Sequence, residues 1–234
     1  MDDEQLLVAK DLSLTYGATQ ALVSASITVR PAEAVGVIGP SGSGKSSLLH
    51  CLSGILRPSS GSVRFLGKAL EDSSDEELSL LRRTEFGFVF QFGDLVPELS
   101  LVENVALPLR FSSVKKKKAE GQALEVLDEL AIGDLAARRP SQVSGGEMQR
   151  AAIARSLVHE PRIVFADEPT GALDSATGEQ VLEVILDRTR ARGASLVLVT
   201  HDRTVAARAD RIVEVRDGRT VGLGAVKSAG SSSR

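Results

Sequence analysis

The plainest chemistry in the chain lies in Gly39-Pro40-Ser41-Gly42-Ser43-Gly44-Lys45-Ser46-Ser47. These residues fit G-x-x-x-x-G-K-[ST], a spacing that wraps backbone N–H groups around a phosphate. Gly39, Gly42 and Gly44 keep Cβ atoms out of the way. A helix starting at the end of the run adds free N–H groups and the positive end of its dipole. Lys45, expected on an exposed loop, would reach the β- and γ-phosphates of a nucleotide, and the Ser46 hydroxyl would ligate Mg²⁺. A second set, Ile163-Val164-Phe165-Ala166-Asp167-Glu168, is an apolar run ending in two carboxylates. Asp167 can hold Mg²⁺ through water, and Glu168 is placed to polarise a water for in-line attack on the γ-phosphate. A third, Ser144-Gly145-Gly146-Glu147-Met148-Gln149-Arg150, opens a helix with a serine and two glycines, again an anion site. One phosphate cradle already exists in the P-loop, so this second site points to the nucleotide of another protomer.

The elements around these runs must position them. Ala34 to Ile38 is short and apolar, like a buried strand, and Leu48, Leu52 and Ile55 follow the P-loop at helical spacing. The P-loop thus sits at a strand-to-helix turn. Leu6 to Tyr16 and Ala21 to Val29 read as strands around a turn at Gly17-Ala18-Thr19, an antiparallel opening. Ser62 to Leu66 and Phe86 to Phe90 are further strands, and Asp75 to Arg83 a helix with acidic residues in its first turn. From Phe92 to Pro140 the pattern is helical, with apolar stripes over Leu101–Leu109 and Ala119–Ile132. Gly145–Val158 and Ser175–Ala191 read as helices, and Ser195–Thr200 as a strand ending in His201. Asp217-Gly218 between two short apolar runs is a hairpin signature. The expected fold is α/β: a P-loop core with an antiparallel β sub-domain and an inserted α-helical sub-domain. It spans residues 1–223, with the helical insertion at about 92–140 and a further helix at 144–158. The small polar stretch 224–234 is expected to be disordered.

Bulk composition narrows the classes. The chain has 234 residues, 42% hydrophobic and 25% charged, enough for one large core with a sub-domain. A formal charge of −3 gives no overall basic footprint for nucleic acid. The single cysteine, Cys51, excludes an intrachain disulfide and falls among the apolar residues of the helix after the P-loop. No apolar run approaches the ~20 residues that span a bilayer. Met1-Asp2-Asp3-Glu4 is acidic, unlike a signal peptide. A soluble, cytoplasmic chain is expected, with any membrane role arising through a partner.

From Leu6 to about Val221 the chain resembles the ATP-binding subunit of ABC transporters, and Ser144-Gly145-Gly146-Glu147 resembles the ABC signature. The resemblance implies roles that spacing alone does not. Tyr16 would stack on adenine. Gln91 would touch Mg²⁺ and report to the membrane partner. Ala172-Leu173-Asp174 would be the D-loop, and His201 the switch histidine on the γ-phosphate. Val143 and Glu147 depart from the usual leucine and glutamine. Phe86-Gly87-Phe88-Val89-Phe90-Gln91, Leu95-Val96-Pro97, Val102-Glu103-Asn104-Val105 and Leu107-Pro108-Leu109 are similar to one subfamily, together with Asp167 to Asp174. It comprises macrolide exporters, lipoprotein-releasing systems, the cell-division ABC ATPase and related haem and peptide exporters.

The resemblance implies a homodimer around two ATPs with Mg²⁺, docked from the cytoplasmic face on an integral membrane permease. Docking is expected around Phe92 to Leu99, through Phe92, Leu95 and Val96. A non-transport ABC ATPase regulating a cell-division or peptidase complex is the alternative. Lys115 to Lys118 form a basic run, either a solvated helix start or an attraction to an anionic leaflet.

Overall fold

The structure is a computed structural model that describes residues 5–91 and 94–225. Phe92, the acidic N-terminus Met1–Glu4 and most of the expected disordered stretch lie outside the described residues. In chain order the strands and helices are β1 (Leu7–Tyr16), β2 (Thr19–Val29), β3 (Ala34–Ile38), α1 (Lys45–Leu52), β4 (Ser60–Phe65), β5 (Lys68–Ala69), α2 (Asp75–Thr84) and β6 (Phe86–Phe90). Next come α3 (Leu101–Phe111), α4 (Lys116–Glu129), α5 (Gly145–Leu157), β7 (Ile163–Asp167), α6 (Ser175–Ala191), β8 (Ser195–Thr200), α7 (Arg203–Ala206), β9 (Arg211–Arg216) and β10 (Arg219–Ala225). Single 3₁₀ turns at Gly133–Leu135 and Pro140–Gln142 lead from α4 to α5.

Two sheets organise the chain. β2-β1-β4-β5 is the expected antiparallel sheet, and β10-β9-β3-β8-β7-β6 is parallel except for its edge strand β10. Strands β3, β7 and β8 are apolar almost throughout because both faces of the parallel sheet are covered. Alternate side chains serve two cores. Phe165, Val197 and Val199 pack with the antiparallel sheet and α1, whereas Val164, Leu196 and Leu198 pack under α3 to α6. An edge-to-face contact of Phe86 with Phe65 (4.9 Å) joins the two sheets, and Phe86 packs edge-on against Phe165 of the adjacent strand (5.4 Å).

Serine caps open α2 and, in the helical insertion, α3. Ser74 and Ser100 each bond to the backbone of a glutamate three residues on, and that glutamate returns the bond. Asn104 is fully buried in α3. Its amide donates to the carbonyls of Val96, Leu99 and Ser100, and its Oδ1 accepts from Val96 N–H at 2.7 Å. One side chain thus ties Val96, Leu99 and Ser100 to the first turn of α3. β10 continues through Ala225, two residues into the stretch expected to be irregular, because Leu223 and Ala225 pair with Ile212 and Arg211.

Candidate active site

The register of the parallel sheet gathers the chemistry at one edge. Ile38 pairs with Thr200, Asp167 with Val199, and Phe90 with Asp167. Gly39, His201, Glu168 and Gln91 follow these positions and so emerge side by side at the carboxyl ends of the strands, where open α/β sheets bind ligands.

The P-loop is held from three sides. Gly44 has φ +104°, and its α-carbon lies so close to the Ala21 carbonyl of β2 that a side chain would collide with it. The Gly218 N–H at the tip of the β9–β10 hairpin donates to Ser43 O at 3.0 Å. Lys45 is the first residue of α1, and its Nζ donates to Gly39 O (2.9 Å) and Pro40 O (3.0 Å). Lys45 is 8% exposed, so it is buried rather than on an exposed loop, its stem packed and its ammonium clamped by the loop. The Ser43 hydroxyl is buried with no hydrogen-bond partner.

Ser46, Gln91, Asp167 and Glu168 line one pocket of about 380 Å³ together with His50, Phe90 and Asp94. Asp167 Oδ1 is buried and unpartnered. Burial pushes the Asp167 carboxyl above its ordinary range, against the opposing pull of a bond to Ser46. A bound cation would relieve that penalty. Among the described residues no three His, Cys, Asp or Glu side chains come together to hold a metal alone. One carboxylate and one hydroxyl form the sparse donor set that suits Mg²⁺ carried in with phosphate oxygens and water.

Glu168 stands in a left-handed conformation, φ +47°. That conformation costs of order 1–3 kcal/mol for a non-glycine residue. Its N–H donates to Val199 O at 2.9 Å, and its carbonyl accepts from Gly171 N–H at 3.0 Å. The turn re-aims the side chain, so that His201 Nδ1–H donates to Glu168 Oε1 at 2.9 Å. The Gln91 amide lies against Gly171, where a Cβ would stand 2.9 Å from Nε2. Tyr16 ends β1, 49% exposed, on the hairpin whose other strand presses on Gly44.

The signature run lies elsewhere. Ser144 is exposed and caps α5. Glu147 Oε2 accepts from Ser144 N–H at 2.7 Å, while the Ser144 hydroxyl accepts from Glu147 N–H at 3.4 Å. The glutamate therefore completes a capping box, and the bonds from Ser144 hold its carboxyl below the usual range. Gly146 is forced by packing: a Cβ there would sit 2.5 Å from the Thr177 methyl of α6. Gly145 lies against Leu173, and Asp174 caps α6 through Thr177 N–H at 3.1 Å. The Ser144–Glu147 run and Leu173-Asp174 are thus neighbours within the chain. The cavities at Ser46 and at Gly39–Pro40 include none of Ser144, Gly145, Gly146 or Glu147. A cleft of about 530 Å³ does link Leu173 and Asp174 to Glu168 and His201.

Gln149 was not singled out by sequence reasoning. It is 2% exposed, and its Nε2 donates to Phe90 O at 2.9 Å, tying the signature helix to the residue before Gln91. The available signal was an amide on the buried face of a helix otherwise lined by Ala151, Ala152 and Ile153. Replacing Gln149 with Leu leaves that carbonyl without its donor, and should lower stability by about 1–3 kcal/mol. For a chain of this size each kcal/mol moves Tm by about 2–4 °C. An unchanged Tm in thermal unfolding would show that the bond contributes nothing.

Residues 22–171 match the profile of the family described as "ABC transporter". The chain is 43% identical over 218 residues to the lipoprotein-releasing system ATP-binding protein LolD of Aquifex aeolicus, covering 93% of this chain and 97% of LolD. It is also 43% identical over 216 residues to the pyoverdine export ATP-binding/permease protein PvdT of Pseudomonas entomophila. That match takes in 90% of this chain but only 33% of PvdT. Among solved structures, the ATP-binding cassette MJ0796, a dimer in a post-hydrolysis state bound to ADP and Pi, superposes with TM-score 0.86 at 36% identity, covering 95% of this chain and 99% of that one. With a strand-to-helix P-loop on β3, a carboxylate pair at the end of β7 one strand beyond β8, and a serine-capped helix α5 in the fold of that cassette, the chain belongs to the ABC transporter family as an ATP-binding ATPase.

Proposed function

We propose that the chain works as a homodimer around two ATPs on the cytoplasmic face of the membrane and drives a separate membrane-spanning subunit. One observation carries the coupling. β6 borders two cavities at once: Phe86, Phe88 and Phe90 line a groove of about 670 Å³ with Leu107, Pro108 and Phe111, and the next residue, Gln91, lines the pocket of Ser46 and Asp167. A partner seated in the groove would press on the strand whose end touches the nucleotide pocket. The groove adds to the docking surface expected around Phe92 to Leu99: Leu95 packs against the helical core, Val96 is exposed, and further open apolar surface lies on β6 and α3.

Within each site Lys45 and the loop amides take the phosphates, and Tyr16 takes the adenine. Ser46 and Asp167, with Gln91 nearby, would hold Mg²⁺, which when bound neutralises charge on the phosphate oxygens. Glu168 accepts the proton of the attacking water, kept on target by the His201 Nδ1–H bond, and His201 faces the γ-phosphate. Ser144 and the Gly146 N–H complete the opposite protomer's site. The exposure of Ser144 and its separation from this chain's own P-loop support that arrangement. The cargo falls in the range of lipoprotein, peptide, macrolide or haem, and relatives named for lipoprotein release and pyoverdine export support outward movement.

Cysteine cross-linking tests the docking. Burial pushes the one native thiol, Cys51, up to about 11, so it stays protonated and unreactive at neutral pH. A Leu107→Cys variant should then cross-link to the co-expressed membrane subunit, and ATP should change the yield. Cross-links forming only from cysteines elsewhere on the surface would move the docking site.

A further inference from the structure

The turn between α3 and α4 collects positive charge around an exposed aromatic ring. Arg83 of α2 donates to Phe111 O at 3.1 Å, and Arg110 donates to Val114 O at 3.0 Å, so two guanidinium groups latch the same turn. Lys115 to Lys118 follow directly, all exposed, and no Asp or Glu occurs between Arg110 and Lys118. Lys116 is occupied, bridging Glu103 (3.6 Å) and Glu120 (3.4 Å). Lys115, Lys117 and Lys118 have no ion pair among the described residues. On the same turn Phe111 is 60% exposed, and it also lines the groove on β6. This concentration is local, because the chain as a whole carries a formal charge of −3.

We propose that this turn is a contact for anionic lipid headgroups: Lys115, Lys117 and Lys118 lie against the leaflet beside the docked membrane subunit, and Phe111 enters the headgroup layer. The orientation rests on the reading of the groove as the docking surface for that subunit. A ring that lines the groove, with free lysines one turn away, is then at the membrane-facing edge. Charge attraction of this kind acts within a Debye length, about 8–10 Å at physiological salt. It is worth about fivefold in binding per lysine near an anionic surface. An exposed phenylalanine adds an apolar anchor that a merely solvated helix start does not need.

The test uses the full chain and sucrose-loaded vesicles, either pure phosphatidylcholine or phosphatidylcholine mixed with anionic phosphatidylglycerol, whose negative surface potential the attraction requires. The chain should pellet with the anionic vesicles and not with the neutral ones, and binding should fall steeply with salt. Replacing Lys115, Lys117 and Lys118 together by Gln should lower partitioning by ~10²-fold. The same three changed to Arg should retain it, and both variants should keep the basal ATPase rate of the free protein. Equal pelleting of wild type and the Gln variant, or equal binding to both vesicle types, would overturn the proposal. So would loss of cross-linking to the membrane subunit in the Gln variant with no vesicle binding by wild type, which would assign the lysines to an acidic protein surface. Leu107→Cys cross-linking that succeeds while vesicles fail to bind removes the lipid contact and leaves the docking reading intact. The reverse pair of results removes the docking reading.

Discussion

Glu168→Gln should hold the protein as a closed, ATP-bound dimer. Glu168 follows Asp167, the carboxylate proposed to hold Mg²⁺, and its left-handed backbone stands with the carboxylate 2.9 Å from His201 Nδ1. Glutamine fits the same backbone, and its Oε1 can still accept the His201 N–H, so the frame persists. The amide cannot take a proton from water. Loss of a positioned base typically costs 10²–10⁴-fold in rate. Lys45, the loop amides and the partner's anion site are untouched, so the bound state should accumulate. Static light scattering with Mg-ATP should show a shift from monomer to dimer in the variant, while phosphate release drops by at least a hundredfold. Hydrolysis at the wild-type rate would remove Glu168 from the chemistry. An inactive variant that stays monomeric at saturating ATP would count against the dimer trap and leave the base in place.

Lys45→Ala should remove ATPase activity at the earlier step, nucleotide capture. The ammonium is the one side-chain cation clamped inside the loop, and its two bonds to Gly39 O and Pro40 O place it where phosphates would sit. Removing a preorganised charge donor of this kind costs about 10²–10³-fold in turnover. Because Lys45 is buried, truncation also deletes packed methylenes at the start of α1. Lys45→Met keeps that volume and isolates the charge. Both variants should lose phosphate release and nucleotide affinity, with Lys45→Met melting near the wild-type temperature. Turnover within a few-fold of wild type in Lys45→Met would detach the lysine from the phosphates.

Much of this site was legible because its parts are local. The P-loop announces itself by spacing, and the strand ends of β7 and β8 by apolar runs that stop at Asp167 and His201. Asp217-Gly218 forms the turn its sequence demands, with φ of +48° and +73°, but its bond to the P-loop at Ser43 joins residues far apart in sequence. The same limit hid the Gln149 bond to Phe90 O. No helical periodicity says which distant carbonyl a buried amide will meet. β5 and α7 are too short, two and four residues, to show a period at all. The groove is not legible in the sequence because Phe88 and Phe90 read as strand-core residues. Only the placement of α2 and α3 leaves them lining an opening. Glu168 is the opposite case: its place beside Asp167 at a strand end was legible, while its left-handed backbone was not.

The claim that two chains complete each other's sites rests on Ser144, and Ser144→Arg tests it most directly. Ser144 is exposed, its hydroxyl sits at the start of α5, and the Ser46 pocket of its own chain does not include it. Equilibrium dialysis with labelled ATP, run on the monomer beside a phosphate-release assay, separates the two possibilities. Binding in trans predicts near wild-type ATP affinity of the monomer with ATPase lost by at least a hundredfold, about the cost of removing one charge-stabilising donor. Monomer affinity that falls as far as the activity would place the signature serine on its own chain's nucleotide and contradict the shared site.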